Sequence, residues 1–185
     1  MNERLAMLSE IHAEVWRQLA RAPRDKHHAW RTPVLATRHD ELADARTVVL
    51  REVDGPSRTL LIYTDERAGK VAQLQQHPLG TLVMWSSSLG WQLRCRVRLA
   101  MMQSGLATSS RWARIKLSPA GQDYLSPLPP GAPLDAPQAL PHEAVAREHF
   151  GVIEAQVESI DWLELHRDGH RRALFKAETS HWLQP

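Results

Sequence analysis

Between Arg46 and Lys70 the chain reads RTVVLREVDGPSRTLLIYTDERAGK, and its cations stand at selected places. Arg46 and Arg51 bracket the apolar run Thr47-Val48-Val49-Leu50. Tyr63-Thr64-Asp65 closes the next apolar run, and Arg67 and Lys70 follow where a helix should begin. A phosphate monoester is held by such a set: more than one cation, a hydroxyl, and free backbone N–H groups at a positive helix end. Each charge-assisted bond contributes roughly 1.5–3 kcal/mol. Arginines flanking a strand are otherwise solvated ends. Gly69 beside Lys70, and the downstream strand containing Gln92-Leu93-Arg94, favour the site.

These residues need a scaffold, and the hydropathy pattern supplies one. Leu5, Leu8, Ile11, Val15 and Leu19 recur at helical spacing, which predicts a helix over 3–20 with Asn2 as its N-cap. Trp30 to Thr37 reads as a short strand and Arg38 to Ala45 as a polar loop. Arg46–Val53 and Thr59–Thr64 form a hairpin around Asp54-Gly55-Pro56. A short helix over 67–76 ends at His77-Pro78. Thr81–Trp85 is a strand, and Trp91 to Met101 alternates most clearly. Leu93, Cys95, Val97 and Leu99 share one face of it; Gln92, Arg94, Arg96 and Arg98 share the other. Ser109–Lys116 reads as helix. Residues 118–141 hold seven prolines, which excludes a continuous helix or central strand and predicts a long loop. His149–Leu165 and His170–Trp182 read as a second hairpin, its first arm bent near Val157. Many strands with helices at the margins predict a mainly β protein, a small antiparallel barrel forming one domain over 1–185.

At 185 residues the chain can bury a real core, and its 43% hydrophobic and 24% charged content is ordinary for a globular protein. A net charge of +2 favours anionic ligands without demanding nucleic acid. The arginine face of the Trp91–Met101 strand lacks the interleaved aromatics of a single-strand binder. The single Cys95 excludes an internal disulfide framework. The N-terminal Met1-Asn2-Glu3-Arg4 lacks a signal peptide's apolar stretch, and no run approaches membrane-spanning length, so a cytoplasmic protein without a membrane anchor is expected. No metal site is expected. His166 and His170 are separated by an Asp-Gly turn, and His27-His28 are adjacent and point apart.

The pieces Arg46-Thr47-Val48-Val49-Leu50-Arg51, Tyr63-Thr64-Asp65, Lys70 and Trp91-Gln92-Leu93-Arg94, in this order, resemble the pyridoxamine 5′-phosphate oxidase-like, FMN-binding split-barrel proteins. The resemblance runs from about Trp30 to Leu99 and is closest to the oxidase-related branch. It implies a mainly β fold with flanking helices, an antiparallel six-stranded FMN-binding split barrel. It also implies a homodimer with FMN at the interface and oxidoreductase chemistry. For the phosphate it implies Arg46, Arg51 and Lys70, with the Thr64 hydroxyl beside Tyr63. The family's Ser-Arg-Lys triplet reads Ala68-Gly69-Lys70 here, so only Lys70 carries over and Arg67 is a secondary candidate. For the ring the resemblance implies main-chain contacts from Val48 and Val49 and donors from Gln92 and Arg94.

Substrate recognition departs from the family. Ser110, Arg114 and Ser118 keep a spacing of four but lose the family's Tyr, leaving Arg114 and Ser118 as substrate-binding candidates. Leu165-His166-Arg167 does not reproduce the family's C-terminal Arg-x-His, although Arg171 or Arg172 offers a substitute. Pyridoxamine phosphate is therefore not the expected substrate, and no residue stands out as a catalytic base. A carrier that holds flavin or haem without turnover is the alternative.

Overall fold

The computed structural model describes residues 4–102, 104–137 and 149–185. Its elements are helix α1 (Leu8–Arg21), a one-turn 3-10 helix at Ala29–Arg31, strands β1 (Val34–His39), β2 (Leu42–Thr47), β3 (Leu50–Asp54) and β4 (Thr59–Asp65), helix α2 (Gly69–Gln76), and strands β5 (Leu79–Ser86) and β6 (Trp91–Met102). Helices α3 (Leu106–Ile115) and α4 (Pro119–Gln122) follow, then strands β7 (Phe150–Glu164), β8 (Arg171–Lys176) and β9 (Ser180–Leu183).

Every strand pairs antiparallel, in the order β2-β1-β5-β6-β7-β4-β3, with β8 and β9 continuing from β7. The two ends of that path, β2 and β3, are one stretch of chain. At Val48-Val49 it leaves the β1 ladder and enters the β4 ladder, so the sheet closes on itself. Counting β2 and β3 as one, the barrel has six strand positions, the expected split-barrel plan. β7 holds it together. One edge pairs β6 along its length; the other pairs β4 over Phe150–Gln156 and β8 over Ser159–Glu164.

The alternation read from β6 is realised: Leu93, Cys95, Val97 and Leu99 are buried within the barrel, together with Leu35, Leu82, Ile153 and Ile160. Burial pushes the Cys95 thiol up to about 12, which leaves it an apolar filler rather than a nucleophile. A second core lies outside the barrel. There α3 and α4 cover β4 and β7 through Trp112, Tyr124, Leu125, Phe150, Leu61 and Val152.

Several boundaries differ from the sequence reading. The first helix starts at Leu8, with Met7 as N-cap and its N–H donating to Glu10 (3.1 Å). Leu5 lies outside the helix, and its carbonyl accepts from Arg171 (2.7 Å). The expected Asn2 cap falls outside the described residues. Trp30 sits in the 3-10 turn, and the supposed loop 38–45 is the β1–β2 hairpin, turning at Asp40 with φ +52°. The bend expected near Val157 is a bulge in a continuous strand: Arg96 faces Ser159 while Val97 faces Val157. The proline-rich stretch contains α4 and buried Tyr124 and Leu125; its end, from residue 138, lies outside the described residues. Among the described residues no helix is long and apolar enough to cross a membrane.

Two histidines fasten α1 and the chain that follows it. The His12 ring stacks on Phe175 (centroids 4.9 Å apart), and its Nε2 accepts from Trp16 Nε1 (3.0 Å). His28 Nδ1 accepts from the Trp30 N–H (3.1 Å), so its Nε2–H faces Gln18 Oε1 (2.9 Å). Burial, then Arg58, holds His12 below its ordinary value. Burial, then Arg21, does the same for His28. Both are neutral in the fold above the ordinary histidine range near 6.5. As pH falls below that range the unfolded chain takes up protons first, so their stability contribution is lost toward their depressed folded values. Thermal midpoints recorded from pH 7.5 downward should therefore fall once the pH drops below about 6.5. A flat profile would contradict this pairing.

Candidate functional site

Arg46 pairs with Leu35 in the β1–β2 ladder, and Leu35 points into the barrel. Paired residues share a face, so Arg46 also projects inward. Its guanidinium donates to Thr37 Oγ1 (2.5 Å), to Gln73 Oε1 (2.8 Å) and to the Asp44 carboxylate. Gln73 lies on α2 and is buried; its amide donates to Asp44 (2.7 Å), and Thr37 donates to its Oε1 (2.6 Å). These four side chains form a closed polar ring where α2 meets β1 and β2.

Lys70 stands in the first turn of the same helix. Its ammonium donates to Thr64 Oγ1 (3.1 Å) at the buried end of β4. Burial first, then the charge of Arg46, lowers the Lys70 pKa, with Asp65 opposing. The two cations therefore lie close enough to repel one another. The N-cap of α2 is Ala68, which has no side chain to cap the first-turn N–H groups. A Cβ built on Gly69 would meet nothing within 4 Å, so the helix start faces open space. Two cations, a hydroxyl and an uncapped helix start are the donor set that a phosphate monoester takes. A concavity of about 650 Å3 lies on the other, outward face of this sheet, lined by Ala36, Arg38, Ala43, Thr81 and Arg96, and neither Arg46 nor Lys70 lines it.

Arg51 does not join Arg46, Thr64 and Lys70. The register slips between Leu50, opposite Ile62, and Glu52, opposite Leu61, so Arg51 is the extra residue of a β-bulge. Its guanidinium lies 5.7 Å over the Tyr63 ring and near Tyr124, on the side covered by α3 and α4. Its Nε is buried without a hydrogen-bond partner among the described residues. The Tyr63 hydroxyl donates to Glu52 (2.7 Å); burial, then Glu52, raises its pKa. Arg67 is held by Asp65 (2.6 Å) and by the carbonyls of Ser126, Pro127 and Leu128, where it ties down the proline-rich segment.

Gln92 and Arg94 lie on the outward face of β6, opposite to the face from which Arg46 projects. Gln92 is half-buried across from the exposed Trp85. Arg94 is paired with Asp161, which also takes Arg172 (2.8 Å). Val48 is buried and its N–H donates to Pro33 (2.9 Å), while Val49 is half-buried at the corner between the ladders. Ser118 caps α3 through the Ile115 carbonyl (2.7 Å) and Arg114 is exposed, so neither lies with the cation cluster. Arg171 is committed to Glu164 (2.8 Å).

The sequence reading missed Thr37, Asp44 and Gln73, which lie far apart in the chain and in segments read as strand, loop and helix without a motif. It also missed Arg111, the α3 arginine that pairs with Glu52 (2.9 Å). Burial pushes the Glu52 carboxyl up, but hydrogen bonds from Arg111 and Tyr63 outweigh it and hold the group below its ordinary value. Among the described residues no three His, Cys, Asp or Glu side chains gather to hold a metal ion.

Residues 13–103 match the family model described as pyridoxamine 5′-phosphate oxidase, FMN-binding domain. A search of curated proteins found no match. Among solved structures, the chain is similar to a pyridoxamine 5′-phosphate oxidase-related, FMN binding protein from Nostoc punctiforme, with 22% identity and a TM-score of 0.76 over 99% of this chain and 100% of that one. It is similar to PhzG from Burkholderia lata, solved in complex with tetrahydrophenazine-1-carboxylic acid, with 15% identity and a TM-score of 0.70 over 96% and 90% of the two chains. A heme binding protein from Mycobacterium smegmatis shares 14% identity with a TM-score of 0.52, over 86% of this chain and 58% of that one. At such identities these likenesses establish the fold. Sequence match and barrel agree: residues 13–103 match a pyridoxamine 5′-phosphate oxidase, FMN-binding domain, and the chain has the fold of the proteins related to that oxidase.

Proposed function

We propose that this protein is an FMN-binding oxidoreductase, working as a homodimer, whose substrate is not pyridoxamine phosphate. The observation that carries the reading is the convergence of Arg46, Lys70 and Thr64 at the uncapped start of α2. Those residues hold the phosphate. The Val48-Val49 corner, where the backbone passes between two ladders, offers main-chain groups to the ring, and Gln92 offers an amide to its polar edge. When bound, FMN supplies the hydride-accepting chemistry. The chain's part is to anchor, orient and shield it. A donor such as Gln92 at the pyrimidine edge favours the electron-rich form of the ring.

Arg46 and Gln92 project from opposite faces of one sheet. A ligand that touches both draws on two copies of the chain or wraps around the β2 edge. The outward face carries exposed Val34, Leu79 and Trp85 with Ala43 and Ala45 beside them, a surface that a second copy would cover. The carrier reading is kept by one observation. The cluster holds cations, amides and hydroxyls, and its carboxylates are engaged, Asp44 by Arg46 and Asp65 by Arg67, so none of the described residues there is placed to move a substrate proton. Reduction of the bound flavin by NADH or NADPH, followed by reoxidation with turnover, supports the enzyme. Flavin that binds and is never turned over supports the carrier.

A further inference from the structure

We infer that Asp44 competes with the ligand's phosphate for Arg46 and so sets how tightly the cluster holds a phosphomonoester. The inference rests on the phosphate reading of the Arg46–Lys70 cluster and adds to it an anion that belongs to the chain itself. Arg46 presents one N–H edge to Thr37 and its remaining terminal nitrogen to Asp44 and Gln73. A guanidinium grips phosphate through a fork of two parallel N–H groups. The nitrogen that completes such a fork already faces the Asp44 carboxylate. Phosphate and Asp44 cannot both take it, because two anions sharing one cation repel.

Asp44 is also placed to give way. It lies on β2, which pairs only β1, and its side chain is 45% exposed, against 20% for Arg46. Turning outward moves it into water without disturbing the ladder. The Gln73 amide, which now donates to Asp44 (2.7 Å), is then free to donate to the incoming anion. With Asp44 in place, Arg46 and Lys70 present a net single positive charge; with it turned away they present two. Asp44 thus also offsets the repulsion between two cations that the fold holds close together.

The test is a titration of the full chain and its Asp44→Asn and Asp44→Ala variants with FMN, with riboflavin as the phosphate-free probe. Thermal denaturation verifies that each variant is folded. Competition predicts that both variants bind FMN more tightly, by about fivefold, the scale of one partly exposed ion pair. Riboflavin affinity should be unchanged. In an Arg46→Ala background the gain from Asp44→Asn should vanish, because the contested partner is gone. Weaker FMN binding in Asp44→Ala would mean that Asp44 positions Arg46, and unchanged binding would mean that it does nothing; either overturns the inference while leaving the FMN reading intact. A gain that survives without Arg46 also overturns it, as a general charge effect. If the unaltered chain and the variants alike ignore FMN, the functional reading falls and this inference falls with it.

Discussion

Replacing Arg46 and Lys70 together by alanine should weaken FMN binding at least about 100-fold and leave riboflavin binding almost unchanged. Each charge-assisted bond to phosphate contributes roughly 1.5–3 kcal/mol, so two lost contacts exceed the 2.7 kcal/mol that about 100-fold represents. The fold should survive. Without Arg46, Thr37 still donates to Gln73 and Gln73 to Asp44. Without Lys70, Thr64 still donates to the Asp65 carbonyl (3.2 Å), and a half-buried cation with a depressed pKa is removed. Each single substitution should lose part of the effect, and Arg51→Ala less than either, since the bulge turns Arg51 toward Tyr63 and Tyr124. Equal losses for FMN and riboflavin would place the cluster away from the phosphate.

Replacing Glu164 by alanine should cost roughly 3 kcal/mol and lower the thermal midpoint by about 6–12 °C. Glu164 is only 5% exposed and is the last residue of β7, opposite Trp91. It accepts from Arg4 (2.8 Å), from Arg171 through two nitrogens (2.8 and 3.0 Å) and from Trp91 Nε1 (3.3 Å). Arg171 in turn lies 5.6 Å over Trp162 and 5.8 Å over Trp182, and donates to Leu5. Deleting the carboxylate leaves a largely buried guanidinium and an indole N–H without their acceptor. Burial raises the Glu164 pKa, but the hydrogen bonds from Arg171, Arg4 and Trp91 outweigh it and hold the group below its ordinary value. Its stabilisation is therefore full above the ordinary carboxylate range and lost as pH falls through the lower folded value. A midpoint shifted by less than about 2 °C would show that the cluster contributes nothing net.

How much of this was legible depends on whether local pattern or distant pairing decided the outcome. β6 was readable because one face meets a core and the other meets polar surroundings, and that demand writes itself as alternation. The β3–β4 hairpin was readable from Asp54-Gly55-Pro56. β2 was not: Leu42-Ala43-Asp44-Ala45 has no β-branched residue, and its strand form comes from the ladder with β1. The Arg51 bulge left no mark either, since it is set by how β3 registers against β4. Arg46, Thr64 and Lys70 could be grouped because short connections join their elements. Asp44 and Gln73 could not, because only the closed barrel brings an edge strand against α2. Leu5 fitted the helical spacing of α1, yet it lies outside the helix, where its carbonyl accepts from Arg171.

The most direct measurement is the absorption spectrum of the purified protein, followed by titration with FMN and riboflavin. The account predicts a flavin band in the protein as isolated or after adding FMN, with FMN bound far more tightly than riboflavin. A colourless protein that takes up no FMN, or that does not distinguish it from riboflavin, would contradict it.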